Sequence, residues 1–348
     1  MLNYCKNRLL VTCALGAAFV FTSTVAAQAR DQVRAVGSST VYPFTSAAAE
    51  QFGAEGKFKT PLVESTGTGG GFKLFCSGVG ETHPDINNAS RPITDSEKTL
   101  CKQNGVEKIV EVAIGYDGIV IANAKGAPTI DLTKKQLFMA LARELPGKDG
   151  KLAANPNQKW SDIDAKLPAQ TIEVYGPPPT SGTRDAFVEL VMEEACKGFP
   201  EFATAIPDEK ARKKACGVIR EDGRYIDAGE DDNLIIQKLA SNKNAVGIFG
   251  YSFLEENRAK VQGNKIEGVA PTMENIENQS YKISRSLYVY VKGDHLGKIP
   301  GISEFVNEMV SDAAIGANGY LISKGLLPLN AKDLTAARAA AASLKTAK

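Results

Sequence analysis

The sequence predicts an α/β protein of two lobes joined by two hinge strands. Three observations carry this. Short β-like runs alternate with helical stretches through polar loops, the pattern of layered α/β domains. Two long β-like runs, Val110 to Ala122 and Ser286 to Val291, lie far apart in the chain. The chain then continues past the second of them, as a segment returning to an earlier lobe would. Lobe 1 is accordingly expected from residues 30–116 and 286–348, lobe 2 from 117–285, and residues 1–29 stand apart as a signal peptide.

That leader has a basic start (Lys6, Arg8), an apolar run from Leu9 to Phe21, and an A-x-A pattern at Ala27-Gln28-Ala29, which places cleavage after Ala29. The apolar run is too short for a membrane span and is ended abruptly by Thr22, Ser23 and Thr24. Cys13 lies inside the run rather than at its small-residue end, which disfavours a lipid anchor. The expected product is a soluble, periplasmic, monomeric chain. Its formal net charge of +1 is spread without a polybasic block, so neither nucleic acid nor a membrane surface is an expected partner. Past the leader remain Cys76, Cys101, Cys196 and Cys216; an even number in an oxidising compartment favours two disulfides. Proximity suggests Cys76 with Cys101 and Cys196 with Cys216, although three pairings are open. A zinc site is the rival reading, but C-x-x-C is absent and both histidines, His83 and His295, sit in loop-like contexts.

In chain order, Val33 to Gly37 reads as a strand ending in Gly37-Ser38-Ser39-Thr40, after which Pro43 opens a helix over Phe44 to Phe52. Lys59 to Glu64 is strand-like and ends in the loop Thr66-Gly67-Thr68-Gly69-Gly70-Gly71, followed by a helix carrying Phe72, Leu74 and Phe75. Asp85 to Ala89 is a third strand, ending at Ser90-Arg91-Pro92. The long run from Val110 is read as interrupted at Gly115-Tyr116-Asp117-Gly118. Thr133 caps a helix to Leu141; Ile172 to Tyr175 is a strand extended by Gly176 and three prolines; Ser181-Gly182-Thr183 leads into a helix from Arg184 to Ala195. Asp231 and Asp232 mark the start of a helix to Ser241, Ala245 to Phe249 is a strand, Ile302 to Val310 a helix, and the Ala-rich tail from Asp333 is helical or frayed.

Three of these loops share one chemistry. They are rich in Gly, Ser and Thr and follow strands, where open α/β sheets face their ligands. Unpaired N–H groups at a helix N-terminus, with the aligned peptide dipoles, attract anions. The hydroxyls of Ser39, Thr40, Thr68, Ser181 and Thr183 add rotatable donors, and Gly69 to Gly71 and Gly182 let backbone come close to a small ion. Arg91 and Arg184 stand within or beside the loops, and arginine matches a tetrahedral oxyanion well. Any one loop alone reads as an ordinary cap or turn; three together, two with an arginine, point to oxyanion binding. Gly-Lys-Ser/Thr is absent, which removes a phosphate loop of the nucleotide-binding kind, and the glycine spacing makes a weak dinucleotide fingerprint. Ser181 lacks a surrounding G-x-S-x-G, so no nucleophile elbow supports catalysis.

The motifs Gly37-Ser38-Ser39-Thr40-Val41-Tyr42-Pro43, Thr68-Gly69-Gly70-Gly71-Phe72-Lys73, Ala89-Ser90-Arg91-Pro92-Ile93 and Ser181-Gly182-Thr183-Arg184-Asp185-Ala186-Phe187 occur in the order seen in PstS-type phosphate-binding proteins. The resemblance runs from about Val33 to Leu327. It implies a type II periplasmic-binding-protein fold that closes on inorganic phosphate by hinge motion and delivers it to the membrane permease subunits of an ABC transporter, with no cofactor. Ligand positions carried over from the resemblance are Ser39, Thr40, Thr68, Ser181, Gly182 and Thr183, with Val41 where the family offers a backbone N–H. Two positions depart from it. Arg91 stands where well-known members have an Asp, and Pro177 to Pro179 stand where they have an Arg. Arg184 is the candidate replacement for that charge. Asp117 is the candidate replacement for the Asp, a hydrogen-bond acceptor that would favour protonated phosphate over ionised sulfate; it reads equally well as a turn residue. Other oxyanions, an exported phosphatase-like hydrolase, and an adhesin reusing the fold are the alternatives.

Overall fold

The computed structural model describes residues 30–179, 181–229 and 232–345. The expected signal peptide with its cleavage point at Ala29, and Asp231 of the expected helix start, lie outside the described residues.

The first part of the chain alternates β1 (Arg34–Gly37), α1 (Tyr42–Ala54), β2 (Leu62–Ser65), α2 (Thr68–Phe75), β3 (Ile86–Ala89) and α3 (Asp95–Gln103). β1 pairs in parallel with both β2 and β3, so the loops after all three strands emerge at one edge of the sheet. Their local causes are simple. Val33, Ala35 and Val36 are buried while Arg34 reaches outward. Thr94 and Glu97 form a reciprocal capping box at the start of α3. The glycine triplet is not a loop, as the sequence reading had it, but the first turn of α2. A Cβ on Gly71 would lie 2.0 Å from Asn87 Oδ1 and 2.5 Å from Gly37 Cα, so only glycine lets α2 settle this closely on β1 and β3.

The nine-stranded sheet continues from β3 to the return strand Ser284–Lys292, then β4 (Ile109–Ala124), and on to Val246–Gly250, Val174–Gly176 and Tyr225–Asp227, with Val261–Gly263 also on β4. Ile109 to Gly118 of β4 pair antiparallel with the return strand, whereas Ile119 to Ala122 pair with Gly250 to Gly247. β4 is thus common to both halves of the sheet. It runs unbroken for 16 residues, and the interruption expected at Gly115 to Gly118 is absent. The glycines serve a close crossing instead: a Cβ on Gly115 would sit 2.5 Å from Leu326 Cδ1 and 2.8 Å from Leu327 O. There Tyr116 and Leu327 exchange backbone hydrogen bonds of 2.9 and 3.0 Å.

In the second half, α4 (Lys134–Leu141) is boxed by Thr133 and Gln136. The helix expected after the Ser-Gly-Thr loop is α-helical over Gly182–Phe187, π-helical over Val188–Glu193, and α-helical again over Glu194–Cys196. Phe187 within it, and Phe138 and Trp160 elsewhere in this half, are fully buried. The two disulfides join Cys76 to Cys101 and Cys196 to Cys216, the pairs that proximity suggests. The first fastens the C-terminal end of α2 to α3. Both histidines have fixed partners: His83 Nδ1 lies 2.9 Å from Ser77 Oγ, and His295 is buried against Asp85.

Candidate functional site

The loop after β1 turns at Gly37, whose φ of +128° and a virtual Cβ only 2.2 Å from Asn88 O require glycine. Ser38 N–H then donates to Asn88 O at 2.9 Å, which ties the loop to β3. Ser39 and Thr40 follow, and α1 begins without a side-chain cap. Among the described residues, no protein group accepts the amide protons of Ser39 or Thr40. The Val41 amide has only a long contact, 3.4 Å, to Ser38 Oγ. α2 likewise starts uncapped, at Gly67 with φ of 72°. Thr68 is buried there; its Oγ1 accepts the Ser90 amide at 3.1 Å and lies 3.0 Å from Ser90 Oγ.

The loop leading to Gly182 approaches from the other half of the molecule. A Cβ on Gly182 would meet Ser39 O at 3.6 Å and Thr40 Cα at 3.7 Å, so the Ser-Gly-Thr loop and the Gly-Ser-Ser-Thr loop face each other at contact distance. Ser181 is the N-cap of its own helix, its Oγ accepting the Thr183 amide at 3.2 Å, and the hydroxyl proton remains for another acceptor.

Three arginines surround this junction, each held differently. Arg91 forms a two-pronged pair with Glu97, at 2.9 and 2.8 Å, and lies above Phe72. That pairing holds its pKa above the ordinary arginine value. Arg184 stacks 4.5 Å above the Tyr225 ring and donates to Pro177 O at 3.3 Å. Pro177 O also accepts the Tyr225 hydroxyl at 2.6 Å, so Arg184 and Tyr225 together brace the proline-rich loop. Burial pushes the Tyr225 phenol up to about 12, which keeps it a donor at neutral pH.

The third, Arg285, was not singled out from the sequence. It is 7% exposed and sits on the return strand directly across from Asp117 of β4. Its guanidinium donates from Nη2 to Thr40 Oγ1 at 2.7 Å, from Nε to Asp117 Oδ2 at 3.3 Å, and from Nη1 to Glu189 Oε2 at 2.6 Å. One side chain thus gathers the β1 loop, β4 and the π-helical stretch after Gly182. Asp117 lies in a regular strand rather than a turn, and burial raises its carboxyl pKa against the opposing pull of Arg285. Glu189 and Arg285 are the members of this assembly that the sequence does not single out, and Ser90 enters there only as part of a motif, not as a candidate ligand. The available signal for Arg285 was a lone charge at the mouth of the apolar run Leu287 to Val291.

Two α/β regions sharing a pair of strands, with donor-rich loops facing each other across the junction, define a two-lobed binding protein. The chain belongs to the PBP superfamily, whose domain model matches residues 22–313. It is 30% identical over 339 residues to the protein SphX of Synechococcus elongatus, covering 95% of this chain and 88% of that one. It is also 30% identical over 342 residues to the phosphate-binding protein PstS of Staphylococcus saprophyticus, covering 95% and 92%. Among solved structures, one described as a possible phosphate binding protein from Planctomyces limnophilus matches with a TM-score of 0.73 at 26% identity, covering 91% of this chain and 99% of that one. An ABC-type phosphate transport receptor from Vibrio cholerae shares the fold, with a TM-score of 0.56 at 18% identity, 85% of this chain and 99% of that one.

Proposed function

We propose that this chain binds inorganic phosphate at the junction of its lobes and delivers it to the permease subunits of a membrane ABC transporter. The observation that carries the reading is the convergence on Arg285 of Thr40, Asp117 and the stretch following Gly182. A buried guanidinium beside hydroxyls and unpaired amides offers a tetrahedral anion charge and donors at once. The full-length relatives named for phosphate binding support the choice of ion. In this reading Ser39, Thr40, Val41, Thr68, Ser181, Gly182 and Thr183 supply hydroxyl and backbone donors. Arg285 supplies the charge. Arg91 sits above the start of α2, its guanidinium 3.6 Å from the virtual Cβ of Gly69, and adds positive potential there while held by Glu97. Arg184 holds the Ser-Gly-Thr loop in place from behind. Asp117 accepts the proton of monoprotonated phosphate, which fully ionised sulfate lacks.

The lobes divide at 116/117 and 285/286, so that Asp117 and Arg285 stand on the hinge. The chain works as an exported monomer, released by cleavage after Ala29, and carries out no chemistry on its ligand. Titration calorimetry of the purified chain with inorganic phosphate tests the reading. Saturable binding that falls more than about tenfold in Arg285→Gln is expected, because a hydrogen bond to a charged group contributes about 1.5–3 kcal/mol. Equal affinity in the variant would remove Arg285 from the site, and no binding at all would remove phosphate.

A further inference from the structure

The charges around Arg285 do not balance for a protein that receives an anion there. One guanidinium faces two carboxylates, Asp117 and Glu189, so the triad carries a formal net charge of −1 with both carboxylates ionised. The two differ in how they are held. Asp117 projects from a central strand directly opposite Arg285 and is fixed by the pairing of those strands. Glu189 is the second residue of the π-helical stretch Val188–Glu193. Its side chain is 37% exposed, and among the described residues Arg285 is its one side-chain hydrogen-bond partner. A side chain so exposed can rotate into water at little cost.

Glu189 also lies where an anion would be favoured. It makes the shorter of the two carboxylate contacts to Arg285, at 2.6 Å against 3.3 Å. Its charge is felt by Arg91 as well, whose pKa it helps to raise, and both residues line one cavity of about 530 Å³. The neighbouring acids on the same helix are engaged elsewhere: Glu193 with Lys213 at 3.1 Å and Glu194 with Lys197. Glu189 alone of these three turns toward the guanidinium that touches Thr40.

We propose that Glu189 is a built-in competitor of the ligand: its carboxylate occupies the Nη1 edge of Arg285, and an oxyanion entering the site displaces it. The inference rests on the phosphate-binding reading and adds a residue that sets affinity by opposing the ligand. A tetrahedral dianion with several acceptor oxygens can replace a single carboxylate on Arg285 while also meeting the loop hydroxyls and amides. An anion with a single acceptor oxygen repays less of the exchange, so the same residue sharpens selectivity.

Calorimetric titration with inorganic phosphate at about 0.15 M salt, where distant surface charges are largely screened, decides the matter. Glu189→Gln keeps the shape and removes the charge; it is expected to bind phosphate about tenfold or more tightly than the native chain, the scale of one charge-assisted contact. Glu193→Gln, which removes a nearby acid that faces Lys213, is expected to stay within about twofold. Unchanged or weaker binding by a folded Glu189→Gln overturns the proposal, as does an equal gain in Glu193→Gln, which would reduce the effect to net charge. Absence of phosphate binding by both native chain and variant would sink the phosphate reading and this inference together, whereas native binding without a gain sinks this inference alone.

Discussion

The side chains at the junction do not act as equals. Arg285 spends three of its donors on protein acceptors, and each acceptor comes from a different part of the fold. In the proposed site, Asp117 bears on the kind of anion rather than on its charge. An ionised carboxylate repels an anion unless that anion brings a proton to share. Asp117→Asn is therefore expected to raise sulfate affinity relative to phosphate by about tenfold or more, one charge-assisted contact's worth. Parallel titrations with the two ions check this, and an unchanged ratio would return Asp117 to a purely structural role. The loop residues Ser39, Thr40, Thr68 and Ser181 to Thr183 could be singled out as candidates from the sequence because their signal is local: glycines and hydroxyls packed between a strand and a helix. Arg285 and Glu189 gave no such signal. Arg285 meets Asp117 across 168 positions of sequence and Thr40 across 245, and only the sheet's topology brings them together.

At the scale of the elements, glycine does two different things in this chain. In α2, Gly71 is squeezed between Asn87 and Gly37, whereas Gly70 meets nothing nearer than Thr66 Cβ at 3.7 Å. Gly71→Ala is expected to cost about 1–3 kcal/mol by overpacking. Gly70→Ala, in the same turn, should leave stability unchanged or raise it by up to about 1 kcal/mol, since alanine is the better helix former. Urea unfolding of the two variants separates these outcomes. Equal effects would mean that α2 does not dock as closely as described. The same contrast explains where the sequence misled. Gly115 and Gly118 look like a break in a long strand, because a local reading sees no reason for glycine in a strand interior. The reasons lie far away in the chain: the Leu326–Leu327 segment crosses β4 against Gly115, and Ile276 packs against Gly118, where a Cβ would come within 2.9 Å of its Cδ1. The glycine triplet likewise reads as a loop until its close packing on β1 and β3 is known. Helices with strong caps, such as the one capped by Thr133, were legible nearly to the residue, and so was β3, bounded by Pro84 and by Ser90-Arg91-Pro92.

Across the whole molecule, the ends of the β1–β3 sheet have opposite characters. At one end stand the uncapped loops and helix starts. At the other, Asp85 is fully buried beneath Arg30, His295 and the Arg34 amide. His295 Nε2 accepts the Gly80 amide at 2.9 Å, so its proton sits on Nδ1 and points at Asp85. Burial alone would raise the Asp85 carboxyl; the hydrogen bonds from His295, Arg30 and Arg34 reverse this and hold it below the usual range. Lys292, also fully buried, donates to Gly78 O at 2.6 Å, and burial lowers its pKa to about 8 from 10.5. Between those two values the unfolded chain holds a proton that the folded chain has shed, so raising the pH through this window adds stability. The gain from pH 8 to 10.5 is expected to be on the order of 2–3 kcal/mol relative to Lys292→Met, which cannot titrate. Thermal unfolding of both chains across this range measures it, and parallel curves would show that Lys292 stays charged in the fold.

The strand common to both halves, β4, carries a mechanical corollary. When two bodies turn about a common axle, points on the axle scarcely move, while points at the rim travel farthest. Asp117 and Arg285 lie on the paired strands that form the axle here, and Ser39 and Gly182 face each other where the two halves meet. On the proposed reading, a rotation that parts the lobes separates the donors of the two facing loops while Arg285 keeps its place on the axle. Cargo would leave such a protein still tethered by charge alone, and the returning carboxylate of Glu189 is the group placed to cut that tether.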